Sequence, residues 1–226
     1  DAVVATINGY PVKDRFVPTY NSYAATFYNT LNYGDFSWYV ESALKSKEAI
    51  ATSKGLENLA GSVFYTNMGY ARAKWGLNAS GRITDNFEMR SSPNEVLLQG
   101  IYNWQPIIAQ IRPQRLIARY TPPSQNLSEF AYSFNGMITP NENITANINY
   151  TNINTLQGDT LYREIFADAE IRSVEKFIFH VGLQYLIYNQ ALYQQKVKAL
   201  YPNIEAITPF LEVVYKIDEK KSIRTE

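Results

Sequence analysis

The sequence predicts an all-β protein, an antiparallel up-and-down transmembrane β-barrel that these residues represent incompletely. Three observations carry this. Apolar and polar residues alternate with period two over long stretches, as in strands with two unlike faces. The apolar faces mix Ala, Gly and aromatics instead of the large aliphatics of a packed core, and Trp and Tyr gather near strand ends. Short turns at 173–176 and 218–221 are separated by a long connection at 189–205, the turn rhythm of membrane barrels. Alternation alone also fits a β-sandwich or a soluble barrel.

Each element follows from its own residues. In 37–45, Trp38, Val40 and Leu44 share one face with Ser42, and Tyr39, Glu41, Ala43 and Lys45 share the other. In 69–80, read as one strand, Ala71, Ala73, Trp75, Leu77 and Ala79 oppose Tyr70, Arg72, Lys74, Asn78 and Ser80. A hairpin over 130–151 sets Phe130, Tyr132, Phe134 and Ile138 against Ala131, Ser133, Asn135 and Met137, and turns at 139–143. Its return strand sets Ile144, Ala146, Ile148 and Tyr150 against a wholly polar face of Thr145, Asn147, Asn149 and Thr151.

A second hairpin over 161–188 sets Ile165, Ala167, Ala169 and Ile171 against Glu164, Asp168, Glu170 and Arg172. After the turn, Phe177, Phe179, Val181, Leu183 and Ile187 oppose His180, Gly182 and Gln184. The strand over 207–217 puts Leu211, Val213, Tyr215 and Ile217 opposite Glu212 and Lys216, and a further strand starts at Ser222. The connection 189–205 predicts a loop with one helical turn, and 96–120 reads as strand-rich but broken by Pro106 and Pro113. About ten strand candidates result, and a closed single-chain barrel needs an even number.

Composition excludes several classes. The 226 residues hold 21 basic and 21 acidic side chains, no Cys and one His, with 18 Tyr, 11 Phe and 3 Trp. A chain without Cys has no disulfide, thiolate metal site or cysteine nucleophile. A net charge of zero gives no general attraction to nucleic acid, so no nucleic-acid partner is expected. No stretch approaches the roughly 20 apolar residues of a transmembrane helix. The mean hydropathy of −0.28 is what a lipid-facing half gives when averaged with polar lumen residues and loops.

The faces then acquire roles. Trp38, Val40, Leu44, Trp75, Leu77, Phe130, Tyr132, Phe134, Phe179, Val181, Leu183, Leu211, Val213 and Tyr215 are expected to face lipid. Glu41, Lys45, Arg72, Lys74, Asp168, Glu170, Arg172, His180, Gln184, Glu212 and Lys216 are expected to face the lumen, where both signs of charge are accommodated. Trp38, Tyr150, Tyr185, Tyr188 and Tyr215 are girdle candidates, and Phe166, Met137 and Tyr39 are inward residues able to plug a lumen.

Chemistry is sparse. His180, with Asp168 and Glu170 nearby and Ser133 as a distant nucleophile, suggests a hydrolytic site, but no nucleophile motif accompanies it and a polar lumen network is the expectation. Glu164, Asp168 and Glu170 share a face and suit a divalent cation or a carboxylate pair for glycoside chemistry, but salt bridging is expected, with no metal and no cofactor. Arg112, Arg115 and Arg119 with Tyr102, Trp104 and Tyr120 suit either glycan or lipid phosphate, or an ordinary barrel rim. The four N-x-S/T sequons, at Asn78, Asn126, Asn143 and Asn149, are expected to be chance products of an Asn- and Thr-rich chain.

The stretch 32–45, NYGDFSWYVESALK, resembles strands of outer-membrane β-barrel proteins from the Bacteroidota. So does 208–217, TPFLEVVYKI, with the lysine-rich turn and new strand after it. The resemblance is one of strand texture over most of residues 23–226 and includes no catalytic motif. It implies residence in a bacterial outer membrane, in contact with lipid or lipopolysaccharide and with other envelope proteins. The chain departs from a complete barrel by ending at Glu226 without the aromatic residue that typically ends a closing strand, so a longer chain is expected. The functional expectation is a non-enzymatic subunit of a cell-envelope complex, in outer-membrane protein assembly or export. The alternatives are a passive or substrate-selective pore, an outer-membrane hydrolase and a soluble secreted β-sandwich binding protein.

Overall fold

The computed structural model describes residues 6–7, 10–11, 21–52, 55–87, 108–110, 112, 117–120, 122, 128–194, 202–218 and 220–225. Strands β1 (Thr6–Ile7) and β2 (Tyr10–Pro11) form a small hairpin of their own. The rest is one antiparallel ten-stranded meander, in which each strand pairs with its neighbours in sequence. Its strands are β3 (Ala24–Tyr33), β4 (Phe36–Thr52), β5 (Gly55–Arg72), β6 (Trp75–Asp85), β7 (Glu129–Asn141), β8 (Ile144–Thr155), β9 (Thr160–Ile171), β10 (Phe177–Asn189), β11 (Asn203–Lys216) and β12 (Ser222–Thr225). A short helix, α1 (Gln190–Gln194), lies between β10 and β11, and a 3-10 turn (Ile117–Tyr120) between β6 and β7. The sheet is open: among the described residues β3 and β12 are its edges and do not pair with each other.

Local chemistry accounts for the hairpins. Tyr33 pairs with Phe36, which leaves a two-residue turn whose first residue, Gly34, has φ +57°. Glycine adopts that conformation without the steric cost a Cβ brings. Gly158, at φ +100°, does the same between β8 and β9. The connections β3–β4, β5–β6, β7–β8, β9–β10 and β11–β12 are all short, and in a meander all five lie on one rim. The opposite rim carries both long connections, β6–β7 and β10–β11, together with the short ones β4–β5 and β8–β9. The short turns expected at 173–176 and 218–221 thus share a rim, and the helical turn expected in 189–205 is α1. Of the strand-rich reading of 96–120, most falls outside the described residues.

One expectation fails here. Residues 69–80 are not one strand: β5 ends at Arg72 and β6 begins at Trp75. Arg72 pairs with Trp75 and Tyr70 with Leu77, so both Arg72 and Tyr70 lie on the face of Trp75 and Leu77. A two-residue turn at Ala73 and Lys74 reverses the chain while keeping an alternation that reads as continuous, because Ala71, Ala73 and Ala79 carry too little side chain to mark a face.

The two faces of the sheet are opposite in character to those of a soluble sandwich. Following the pairing, Trp38, Met68, Ala79, Phe134, Tyr150, Ile165, Tyr185 and Ile207 form one row across eight strands. That face leaves large apolar side chains exposed, Leu77, Phe134, Leu183 and Leu211 among them. On the other face Lys45, Arg82, Glu129, Ser133, Asn149, Glu164, Gln184 and Glu212 are buried. We call the first face outer and the second inner.

A small apolar cluster sits at one end of the inner face, toward the long-connection rim. Ile108 and Ala109 from the β6–β7 connection pack with Ala131, Ile153, Tyr162, Leu186, Tyr188 and, from α1, Tyr193.

Candidate functional site

The inner face is a network of polar side chains placed by strand alternation. Asn67, Ser80, Ser133, Thr151 and Glu164 form one inward row, and Asn78, Asn135, Asn149, Phe166 and Gln184 the next. Bonds run along each row, with Asn67 Nδ2 donating to Ser80 Oγ at 2.7 Å and Asn149 Nδ2 to Asn135 Oδ1 at 2.7 Å, and between the rows, with Asn149 Nδ2 donating to Ser133 Oγ at 3.0 Å. Ser133 and Thr151 share a hydroxyl hydrogen bond of 3.0 Å. Such a ladder satisfies groups whose burial would otherwise be costly.

The β6–β7 connection reaches into this network. Arg112 donates from Nη2 to Asn149 Oδ1 at 3.0 Å and from Nη1 to Gln110 Oε1 at 2.6 Å, and its Nη2 lies 3.4 Å from Glu164 Oε2. Its guanidinium carbon lies 3.7 Å from the centre of the Phe166 ring. Gln110 in turn donates to Asn135. Arg112 was grouped by sequence with Arg115 and Arg119 as a basic, aromatic patch, and the structure separates them. Arg112 is inside, Arg119 is exposed and stands over the Tyr120 ring at 5.2 Å, and Arg115, Tyr102 and Trp104 lie outside the described residues. An irregular connection leaves no periodic mark in the sequence, so nothing there told Arg112 apart from Arg115 and Arg119.

The expected inward residues mostly lie on the inner face, in distinct settings. Lys45 is buried and bonded to Glu48 at 2.8 Å, beside the register shift between β4 and β5. Glu41 accepts from the Tyr39 hydroxyl at 2.7 Å. Gln184 donates to Glu164 at 2.6 Å, and Asp168 meets His180 Nε2 at 2.7 Å. Glu170 pairs with Arg172, which is exposed just past the end of β9. Glu212 pairs with Arg224 of β12. Lys216 ends β11 exposed at the short-turn rim.

Two of those residues are corrected. Arg72 and Lys74 do not face inward: Arg72 is on the outer face, paired with Asp35 at 3.1 Å, and Lys74 is exposed in the turn. The physical reason is the hairpin turn described above, which reverses the sense of the alternation.

The expected outward residues Trp38, Val40, Leu44, Trp75, Leu77, Phe130, Tyr132, Phe134, Phe179, Val181, Leu183, Leu211, Val213 and Tyr215 all share the outer face. Tyr132 packs against Phe130, Phe134 and Tyr150. Of the girdle candidates, Tyr188 is misplaced. It points inward, buried between Tyr120 and Tyr193, because it stands an odd number of residues from Tyr185 on one strand.

The three carboxylates grouped by sequence go to three partners: Glu164 to Arg112 and Gln184, Asp168 to His180, Glu170 to Arg172. Among the described residues no three His, Asp or Glu converge on a metal-sized site. The Ser133 hydroxyl bonds Thr151 and Asn149, whereas the ring nitrogen of His180 bonds Asp168. The buried pair of Arg82 and Glu129, 2.6 Å apart, and the inward Tyr193 of α1 were not singled out by sequence. Burial pushes the Tyr193 phenol above its ordinary range, and the nearby Glu129 carboxylate adds to this.

A cavity of about 590 Å³ opens on the inner face. Arg112, Phe166, Asp168 and His180 line it together with Asn78, Asn135 and Asn147.

No curated protein and no solved structure matches the chain. A family model does match, over residues 8–226, and the chain belongs to that family, DUF6029, a family of unknown function.

Proposed function

We propose that this chain is a β-barrel portion of a bacterial outer-membrane protein, acting as a non-enzymatic subunit of a larger envelope complex in protein assembly or export. The observation that supports this best is the pairing of an exposed apolar outer face with a buried polar inner face. In water that arrangement is costly, at about 25 cal/mol per Å² of apolar surface left exposed. In a bilayer it is the favourable one, with lipid outside and polar groups inside. The confinement of both long connections to one rim fits the same reading. The reading requires the edges β3 and β12 to be paired in the membrane, since lipid leaves no partner for an open strand edge.

The β6–β7 connection favours a scaffold over an open channel. Arg112 and Gln110 bond across the inner face from within, which obstructs a lumen. The polar cavity favours the second reading, a substrate-selective pore.

Cell fractionation with native purification in detergent tests the proposal. The protein is expected in the outer-membrane fraction, bound to other envelope proteins. Solubility without detergent refutes the barrel, and a monomer that conducts ions in a planar bilayer refutes the scaffold.

A further inference from the structure

We infer that the cavity on the inner face, between Arg112 and the Asp168–His180 pair, binds a neutral oligosaccharide. The inference goes beyond the scaffold reading and does not depend on a bilayer.

The size fits first. About 590 Å³ lies within the range of roughly 300–1,000 Å³ typical of small-ligand sites and holds two or three sugar units. The lining fits next. Asn78, Asn135 and Asn147 present carboxamides, each carrying both a donor and an acceptor. A hydroxyl is likewise donor and acceptor, so a polyol can pair with such a wall throughout. The charges oppose an ionic ligand: Asp35 and Asp168 face the cavity with Arg112, so either sign of ligand meets a like charge.

Arg112 is held at the cavity wall by its terminal nitrogens, through Gln110, Asn149 and Glu164. Met137 and the edge of Phe166 add apolar surface for the C–H side of a sugar ring.

Isothermal titration of the detergent-purified chain with maltotriose and cellotriose tests this, with trigalacturonate and the glucosamine trimer as anionic and cationic comparators. At least one neutral trimer is expected to bind, and to bind more tightly than either charged trimer. Asn147→Ala is expected to weaken that binding roughly tenfold, and Asp168→Asn to narrow the preference over the anionic trimer by removing a like charge. Leu211→Ala, on the outer face, is expected to leave it unchanged, and circular dichroism confirms folding of every variant. Asn147→Ala leaves the Asp168–His180 pair in place and decides the matter if Asp168→Asn does not fold. Failure of both neutral trimers to bind the folded wild type overturns the inference, as does tighter binding of a charged trimer or wild-type affinity in Asn147→Ala. None of these results bears on the fractionation outcome, so the two proposals fail separately.

Discussion

The guanidinium of Arg112 lies flat enough against Phe166 to place its carbon 3.7 Å from the ring centre, and Phe166 itself stacks on Phe210 at 5.8 Å and 15°. The stack continues to Gly182. A Cβ there would come within 2.4 Å of the Phe210 ring, so the absence of a side chain on β10 makes room for a ring from β11. A chain of contacts thus runs from a glycine in one strand, through two aromatic rings, to a cation carried in from the β6–β7 connection. Cation–π attraction of about 0.5–2 kcal/mol and the partly buried ion pair with Glu164 both hold Arg112 in place.

Arg112→Ala should release the β6–β7 connection. Glu164, fully buried, loses a cationic neighbour, and removal of one partner from a buried pair costs about 3–5 kcal/mol. Hydrogen exchange at Ile108 to Gln110 is expected to quicken markedly, with strand amides in β8 and β9 little changed. Protection equal to wild type would show that the apolar contacts of Ile108 and Ala109 hold the connection unaided.

Gly182→Ala should displace Phe210. The new Cβ would also fall 2.7 Å from the carbonyl oxygen of Ala167, which is backbone and cannot swing away. Overpacking of this kind costs about 1–3 kcal/mol. A lower thermal midpoint, with Phe210→Ala in the same background recovering part of the loss, is the expected result.

Glu129→Leu should be among the most damaging single changes. It removes the carboxylate that Arg82 meets at 2.6 Å, where both side chains are nearly inaccessible to solvent. A loss of about 3–5 kcal/mol follows from taking one partner out of a buried ion pair. Urea titration measures it, and a loss below about 1 kcal/mol would mean that Arg82 finds other partners.

Leu183→Arg separates a lipid-facing position from a water-facing one. Leu183 lies on the outer face and is 48% exposed. In a bilayer an Arg at mid-depth costs about 2–4 kcal/mol, while a half-exposed site on a soluble sheet tolerates it within about 0.5 kcal/mol. Stability after folding into lipid vesicles is the measurement.

Stability should fall as pH rises above the ordinary tyrosine range. The folded state holds Tyr193 neutral at pH values where the unfolded chain ionises, so the unfolded state binds fewer protons and each rise in pH favours it. This contribution is complete below about pH 10, the ordinary tyrosine pKa, and declines above it. Tyr193→Phe is expected to flatten the alkaline limb of a denaturation profile while leaving the neutral region little changed. An unaltered slope would assign the alkaline loss to other groups.

The sequence by itself determined the strands, their hairpins and which side chains share a face. The period-two alternation of Phe130 to Tyr150 or of Ile165 to Leu183 is a local property, set by backbone geometry and readable one strand at a time. It failed where small residues blurred the pattern, so that Ala73 and Lys74 read as strand and carried Arg72 to the wrong face. It failed also for Tyr188, whose aromatic character outweighed its parity. Tertiary structure alone decided which groups meet: Arg112 with Glu164 and Phe166, Arg82 with Glu129, Asp168 with His180. These contacts join residues 12 to 54 positions apart, and partner choice at such separations depends on register and on the path of an irregular connection. Neither leaves a periodic trace in the chain, which is why the faces of the sheet were legible and the site on its inner face was not.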